Sequence, residues 1–290
     1  MQKRQVLSCF LAAALAGAAG LLSGCGDKPA SSNGGAPAAA SSAAAGSASS
    51  GGDLLARIKA KGEVTIAMEG TWSPWTYHDE KGELVGYDVE VGRKIAEKLG
   101  VKPVFIEGKW DGLLAGISAG RYDMMINGVG VTKERAAAYD FSDPYAFDRT
   151  AVIVKSENDS IKTMADLKGQ HTANTISSTY ATVAEANGAT VTGVDDLNQT
   201  FELLLSGRID ATLNAEVTYY DYMKAHPDAK VKIACLAETA SPIAMPFKKG
   251  DDSRSLREAV NAAVKALREE GELSRLSKKY FGIDISQERK

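Results

Sequence analysis

Gly120-Arg121-Tyr122-Asp123-Met124-Met125-Ile126-Asn127 returns later in the chain as Gly207-Arg208-Ile209-Asp210-Ala211-Thr212-Leu213-Asn214. Gly, Arg, Asp and Asn keep the same spacing in both copies. An apolar helical stripe precedes each: Leu113, Leu114 and Ile117 before the first, Phe201 to Leu205 before the second. In each copy the Gly stops a helix, three residues form a strand, and the Asn ends it. Such a repeat implies two halves of similar α/β design, with chance recurrence as the alternative. Ligands of open α/β sheets sit beyond the carboxyl ends of the strands. Asn127 and Asn214 would then look into one cleft if the halves face each other.

The flanking chain carries the same alternation. Glu63–Met68 reads as a strand, and Val91, Ile95 and Leu99 recur at helical spacing before Gly100. Val104-Phe105-Ile106 is the next strand. Strands alternating with helices imply parallel strands with crossover connections. Near the carboxyl end, Leu256, Val260, Val264 and Leu267 share one helix face up to Gly271, and Leu273, Leu276 and Tyr280 follow before Gly282. This amphipathic pair is expected to pack on one of the halves.

The amino terminus reads as an export signal. Lys3 and Arg4 precede an apolar, Ala-rich run from Val6 to Leu22 that contains no acid. The run is marginal for a membrane-spanning helix and suits a signal peptide over residues 1–24. Leu22-Ser23-Gly24-Cys25 closes it in the manner of a bacterial lipobox, which would make Cys25 the lipidated first residue of the mature protein. Residues 26–52 are almost wholly Gly, Ala, Ser and Pro. They hold too little apolar surface to offset their ordering entropy, so residues 25–52 read as anchor and flexible tether, reaching on the order of 30 Å. Cys9 leaves with the signal and Cys235 stands alone, which excludes an intramolecular disulfide in the mature chain. Cys235 lies in the apolar run Val231–Leu236 and is expected to be buried filler. The formal charge is −3 at pH 7 and grows more negative when Lys3 and Arg4 are removed. An acidic surface without basic clusters argues against nucleic acid as a partner.

Three segments carry candidate chemistry. In Glu69-Gly70-Thr71-Trp72-Ser73-Pro74-Trp75-Thr76-Tyr77, two tryptophans occupy a polar loop. They either wall a ligand, where aromatic rings supply large contact area, or fill the gap beneath the loop. In Asn127-Gly128-Val129-Gly130-Val131-Thr132-Lys133-Glu134-Arg135, two glycines allow a ligand to approach the backbone, and Thr132 caps a helix carrying Arg135 on its first turn. A planar guanidinium beside a helix start is suited to a carboxylate, with a surface ion pair as the plainer alternative. Thr175-Ile176-Ser177-Ser178-Thr179-Tyr180 places hydroxyls at another helix start, where each is either a cap or an anion donor.

These segments closely resemble the amino-acid-binding family of bacterial solute-binding proteins that serve ABC importers. The likeness runs over nearly all of Gly62 to Gly282. It includes Gly86-Tyr87-Asp88-Val89-Glu90, Trp110-Asp111 with Leu113, Thr132-Lys133-Glu134-Arg135, Asp140-Phe141-Ser142-Asp143-Pro144-Tyr145, Asp166-Leu167-Lys168-Gly169 and Lys279-Tyr280-Phe281-Gly282. The resemblance implies an α/β, two-lobed, type II periplasmic-binding-protein fold with two hinge strands. Residues 53–145 plus 242–290 would form the first lobe and 146–241 the second. Arg135 would pair with the ligand α-carboxylate, helped by backbone near Gly130, and the Gly128 carbonyl would take the α-amino group. Ser178 and Thr179 would approach the carboxylate from the second lobe, Trp72 would be the aromatic wall, and Asn214 would line the cleft opposite. Glu69, Trp75 and Asn127 complete the candidate ligand-binding set.

The chain departs from the family twice. Many relatives have a hydroxyl residue where this chain has Gly130, and many have an Asp where it has Ala215. A buried ammonium needs a partner, and Glu69 or Glu216 is the candidate substitute. The loop Glu69 to Tyr77, Asn127 to Thr132 and the run Ser177 to Tyr180 look most like the cystine-binding branch. The implied partners are an amino acid, an ABC transporter permease and a membrane reached through the lipid anchor. The chain is expected to be a monomer on the periplasmic or cell-surface face, with no cofactor and no bound metal. A dehydratase acting on a cyclic acid and a sensory ligand-binding module share the fold and are the rival readings. Against the enzyme, His78, His171 and His226 are scattered, and no P-loop or H-E-x-x-H occurs.

Overall fold

The computed structural model describes residues 53–288. The expected signal peptide, Cys25 and tether lie outside them. Asp53 accepts a hydrogen bond from the Leu55 amide and caps the Leu54–Lys61 helix. The chain then enters Glu63–Met68, the central strand of a parallel sheet, flanked by Lys102–Glu107 and Met124–Met125. Alternate side chains of this strand face opposite ways. Val64, Ile66 and Met68 join one apolar cluster with Tyr87, Val91 and Ile95 of the Tyr87–Leu99 helix. Ala67 joins the other, with Leu113, Leu114 and Ile117 of the Trp110–Ser118 helix. Helices on both faces explain why the strand ends in the apolar, fully buried run Ile66-Ala67-Met68. The helices Arg254–Glu269 and Glu272–Phe281 bury Leu256, Val260, Val264, Leu267, Leu273 and Leu276 against the first cluster.

The second sheet has the spatial order Thr190–Gly193, His171–Asn174, Ala211–Ala215, Thr150–Lys155, Val231–Leu236. The first three are parallel, but Thr150–Lys155 runs antiparallel to both of its neighbours. The expectation of parallel strands therefore fails at this one. Thr150–Lys155 arrives directly from the first lobe rather than through a crossover helix, so nothing forces its direction to match. Ala151 and Ile153 pack on one face with Phe201 and Leu204, while Val152 and Val154 pack on the other with Ile161 and Leu167.

Two further expectations need correction. Asn214 lies inside the Ala211–Ala215 strand rather than ending it, whereas Asn127 follows the short Met124–Met125 strand. Cys235 is only half-buried, because Val231–Leu236 is an edge strand with a register shift between Ile233 and Cys235. Burial pushes its thiol pKa upward.

Two antiparallel strands, Ala146–Asp148 and Ser241–Ile243, run side by side where the chain passes between the two sheets. Tyr139–Phe141 pairs with Pro246–Lys248 just before this passage, and Gly130 makes a single bridge to Ile243.

Gly86, which precedes the Tyr87–Leu99 helix at φ +132°, would place a Cβ 2.2 Å from the Trp75 carbonyl oxygen. Gly82, at φ +78°, faces open space. Gly86→Ala should lower unfolding stability by more than about 2 kcal/mol, because backbone must move, and Gly82→Ala by about 1 kcal/mol from backbone strain alone. Equal urea midpoints for the two variants would contradict this account.

Candidate ligand-binding site

The carboxyl ends of both sheets face a cleft containing about 580 Å³ of non-atom space, part of it open to solvent. Glu69, Thr71, Trp72, Gly128 and Arg135 line it from one side; Asn174, Ser178, Thr179, Asp196 and Asn214 are among the residues that line it from the other.

The loop after the first strand builds the aromatic wall. Thr71–Trp72 pairs with Thr76–His78 as a hairpin, and the Trp75 amide donates to the Trp72 carbonyl across the turn. Trp72 lies flat against Trp75, with ring centroids 5.3 Å apart. Trp75 is 1% exposed, packs on Tyr87 and Phe281, and does not line the cleft. Its place as a ligand wall is therefore corrected. It is the gap-filling plate behind Trp72, because the turn sends the two rings to successive layers of the first core.

Gly128 holds Trp72 from beneath. At φ +55° it would carry a Cβ only 2.6 Å from the Trp72 ring, so only glycine lets the ring settle on this backbone. Its amide donates to the Asp88 carboxylate at 2.6 Å, and the Tyr145 hydroxyl donates to the other Asp88 oxygen at 2.8 Å. Asp88 is fully buried, and desolvation pushes its pKa up to about 7 against these two hydrogen bonds.

Asn127 and Gly130 support the site from just outside the lining. Asn127 is fully buried; its Oδ1 accepts from the Glu69 amide at 2.7 Å, and its Nδ2 donates to the Glu69 carboxylate at 2.7 Å. It positions Glu69, the side chain that does reach the cleft. Desolvation raises the Glu69 pKa to about 7, the Asn127 hydrogen bond opposes the rise, and the nearby charges of Asp196 and Asp111 add to it. Glu216, the other candidate for the ammonium, pairs with the Arg149 guanidinium at 3.0 Å and does not line the cleft.

Thr132 caps the six-residue Lys133–Ala138 helix through the Arg135 amide. That turn sends the Arg135 side chain inward, where it is 9% exposed. Its Nη1 donates to the Gly130 carbonyl and its Nη2 to the Ser177 carbonyl, each at 3.0 Å. Its guanidinium carbon sits 5.1 Å above the Trp110 ring. Among the described residues no carboxylate forms an ion pair with Arg135, so the surface-pair alternative is excluded. Desolvation lowers its pKa, as expected of a buried cation without an anion.

The second lobe supplies caps and acceptors. Ser178 Oγ accepts from the Ala181 amide and caps the Thr179–Ala186 helix. A Cβ on Gly130 would lie 3.6 Å from the Thr179 methyl, so the missing hydroxyl at Gly130 coincides with a close approach of the two lobes. Asn214 Oδ1 accepts from Trp72 Nε1 at 3.2 Å and from the Ala215 amide at 2.8 Å. Further bridges cross the cleft rim from Ser73 to Asp221 at 2.6 Å, from Lys109 to Asp195 at 2.5 Å, and from Ser177 to Asp111.

Thr71, Thr175 and Tyr180 lie in the candidate segments but are not among the candidate residues, and sequence reasoning gave no site role to Trp110, Asn174, Asp196, Leu197 and Thr200, which also line the cleft. Two carried a usable signal. Asn174 ends a strand, as the carboxyl-end rule requires, and Asp196 with Gln199 has the spacing of a helix start.

Residues 64–283 match the bacterial extracellular solute-binding proteins, family 3. The L-cystine-binding protein TcyA of Bacillus subtilis is 41% identical over 237 residues, spanning 81% of this chain and 87% of that protein. The L-cystine solute receptor of Neisseria gonorrhoeae, solved unliganded and open, is 42% identical over 81% of this chain and 100% of that one, with a TM-score of 0.56. An ancestral arginine-binding protein bound to arginine is 35% identical, covers 76% of this chain and 99% of its own, and superposes with a TM-score of 0.71. The poorer superposition on the more identical, open protein accords with the direct bridges that close the cleft here.

Glu69 and Asp88 both have folded pKa values of about 7, above their ordinary 4.5 and 3.8. Each group favours the folded state at low pH, and that contribution is lost as pH rises from about 4 through 7. The unliganded protein should therefore lose stability over this window, and Glu69→Gln should flatten the loss. A urea-unfolding series from pH 4.5 to 8 whose slope is unchanged by Glu69→Gln would refute the assignment.

Proposed function

The chain belongs to the bacterial extracellular solute-binding proteins, family 3, and from that premise we propose that its cleft captures the α-carboxylate and α-ammonium of an amino acid. As a member of that family it is an extracytoplasmic binding protein of ABC transporters and not an enzyme. One observation carries the proposal: a buried guanidinium, lining a cleft, that is held by two backbone carbonyls and has no carboxylate partner among the described residues. A buried cation of this kind is incomplete without an anion, and its planar fork suits a carboxylate.

In this reading the α-carboxylate meets Arg135, with Ser178 and Thr179 closing on it from the second lobe. The ammonium lies between the Gly128 carbonyl and Glu69, which takes the role that Ala215 cannot fill. A ligand ammonium there favours the ionised Glu69 carboxylate, offsetting its desolvation. Trp72 walls the aliphatic part, and Asn214 reaches the ligand from the opposite lobe. The Bacillus and Neisseria relatives are named for L-cystine, and cystine is the ligand we assign.

The mechanism is closure. Residues 53–145 plus 242–290 form one lobe and 146–241 the other, with the paired strands at Ala146–Asp148 and Ser241–Ile243 as hinge. Ligand contacts made from both lobes exist only in the closed state, and only such differential contacts shift the equilibrium. A permease then reads the closed shape. Cys25 anchors the monomeric protein to the membrane through lipid, leaving the lobes on the tether outside the cytoplasm.

Arg135→Ala should weaken amino-acid binding by about 2–5 kcal/mol, because the ligand carboxylate then loses its charged partner. Titration calorimetry with L-cystine reads the loss directly. In a thermal-shift screen of the amino acids plus cystine, a true ligand at 100 times its Kd should add about 2.7 kcal/mol of stability. Less than tenfold weakening in Arg135→Ala would overturn the assigned role.

A further inference from the structure

Resting on the reading of Arg135 as the α-carboxylate partner, the charges in the cleft remain unbalanced. Its charged lining residues are Arg135, Glu69 and Asp196. When an α-carboxylate is matched to Arg135 and an α-ammonium to Glu69, Asp196 is left over. Asp196 caps the Leu197–Leu205 helix through the Gln199 amide at 3.1 Å, and Gln199 Nε2 reaches its second oxygen at 3.3 Å. Both donors are neutral. The nearby cation Lys109 forms its direct ion pair with Asp195, and Asp196 acts on it only through space. The Asp196 charge also acts on Glu69 across the cleft.

Asn174 supplies an independent observation. It lines the cleft and is 2% exposed. Its Nδ2 donates to the Leu213 carbonyl at 2.7 Å, which fixes the orientation of the amide. Its Oδ1 is buried without a hydrogen-bond partner. Native structures rarely leave such an acceptor unsatisfied, so the atom calls for a donor from outside the chain. Thr200 adds a third acceptor, since its hydroxyl proton is given to the Leu197 carbonyl at 2.7 Å.

We propose that Asn174, Asp196 and Thr200 form a second polar subsite that takes a cationic, N–H-bearing group at the far end of the ligand's side chain. These three side chains offer acceptors and negative charge, while the unpartnered donor Trp110 Nε1 is also in the lining. A side-chain carboxylate would meet like charge there, and an aliphatic side chain would leave Asn174 Oδ1 unpaired. The ligands that satisfy it are diamino acids, arginine-like amino acids, or a disulfide-linked dimer turned so that its second α-ammonium faces Asp196 and its second carboxylate faces away.

The test compares ligands that differ only at the far end. L-Cystine is titrated against S-methylthio-L-cysteine, which keeps the disulfide and loses the second head, and L-ornithine against L-norvaline. For the wild-type protein, at least one ligand carrying the far cation should bind ten times more tightly than its partner. Asp196→Asn retains a capping side chain, and should shrink that ratio about tenfold; Asn174→Ala should shrink it in the same direction. A wild-type ratio near one for both pairs, or a ratio that Asp196→Asn leaves unchanged, overturns the subsite. If Arg135→Ala binds all four ligands as the wild type does, or if no amino acid binds at all, the α-carboxylate reading itself has failed.

Discussion

A cation held away from water needs an anion, and the site is arranged around that constraint at Arg135. Two backbone carbonyls and the face of Trp110 hold the guanidinium in place without neutralising it. One of those carbonyls belongs to Gly130 in the first lobe and the other to Ser177 in the second, so one side chain spans the cleft. A ligand carboxylate entering here would supply the missing charge and reinforce the bridge between the lobes. Binding and closure would then follow from the same electrostatic deficit.

The support behind the site is built to resist yielding. Asp88 and Tyr145 grip the Gly128 amide from within the core, and Trp75 backs Trp72 against Tyr87 and Phe281. Tyr145 stands immediately before the Ala146–Asp148 strand, and its amide donates to the Ile243 carbonyl on the partner strand. The floor of the cleft is thus tied through one buried network to the point where the chain passes between sheets. Burying the Asp88 carboxylate costs stability, offset by two donors that hold the ligand-facing backbone at a positive φ.

The acids in the cleft have a related logic. Glu69 is fixed at both ends by Asn127, once through its own amide and once through its carboxylate, so it has little freedom to turn away from a ligand. Its raised pKa lets the empty cleft hold a neutral acid, and a ligand ammonium bound there would favour the charged one. Glu216 has no comparable role, because Arg149 already balances it.

Local patterning in the sequence determined the α/β class, the duplicated helix–turn–strand unit, and the Thr132 and Ser178 caps. Hydrophobic period, capping chemistry and glycine turns are properties of neighbouring residues, so they can be read without coordinates. Only the tertiary structure separated Trp72 from Trp75, since both occupy the same loop and the difference is which ring meets the core first. It also chose Glu69 over Glu216, by pairing Glu216 with a residue far away in the chain. The antiparallel course of Thr150–Lys155 and the convergence of Asn174, Asp196 and Thr200 on the cleft were likewise decided by packing. These are contacts between segments distant in sequence, and no local pattern encodes which distant partner a side chain will meet.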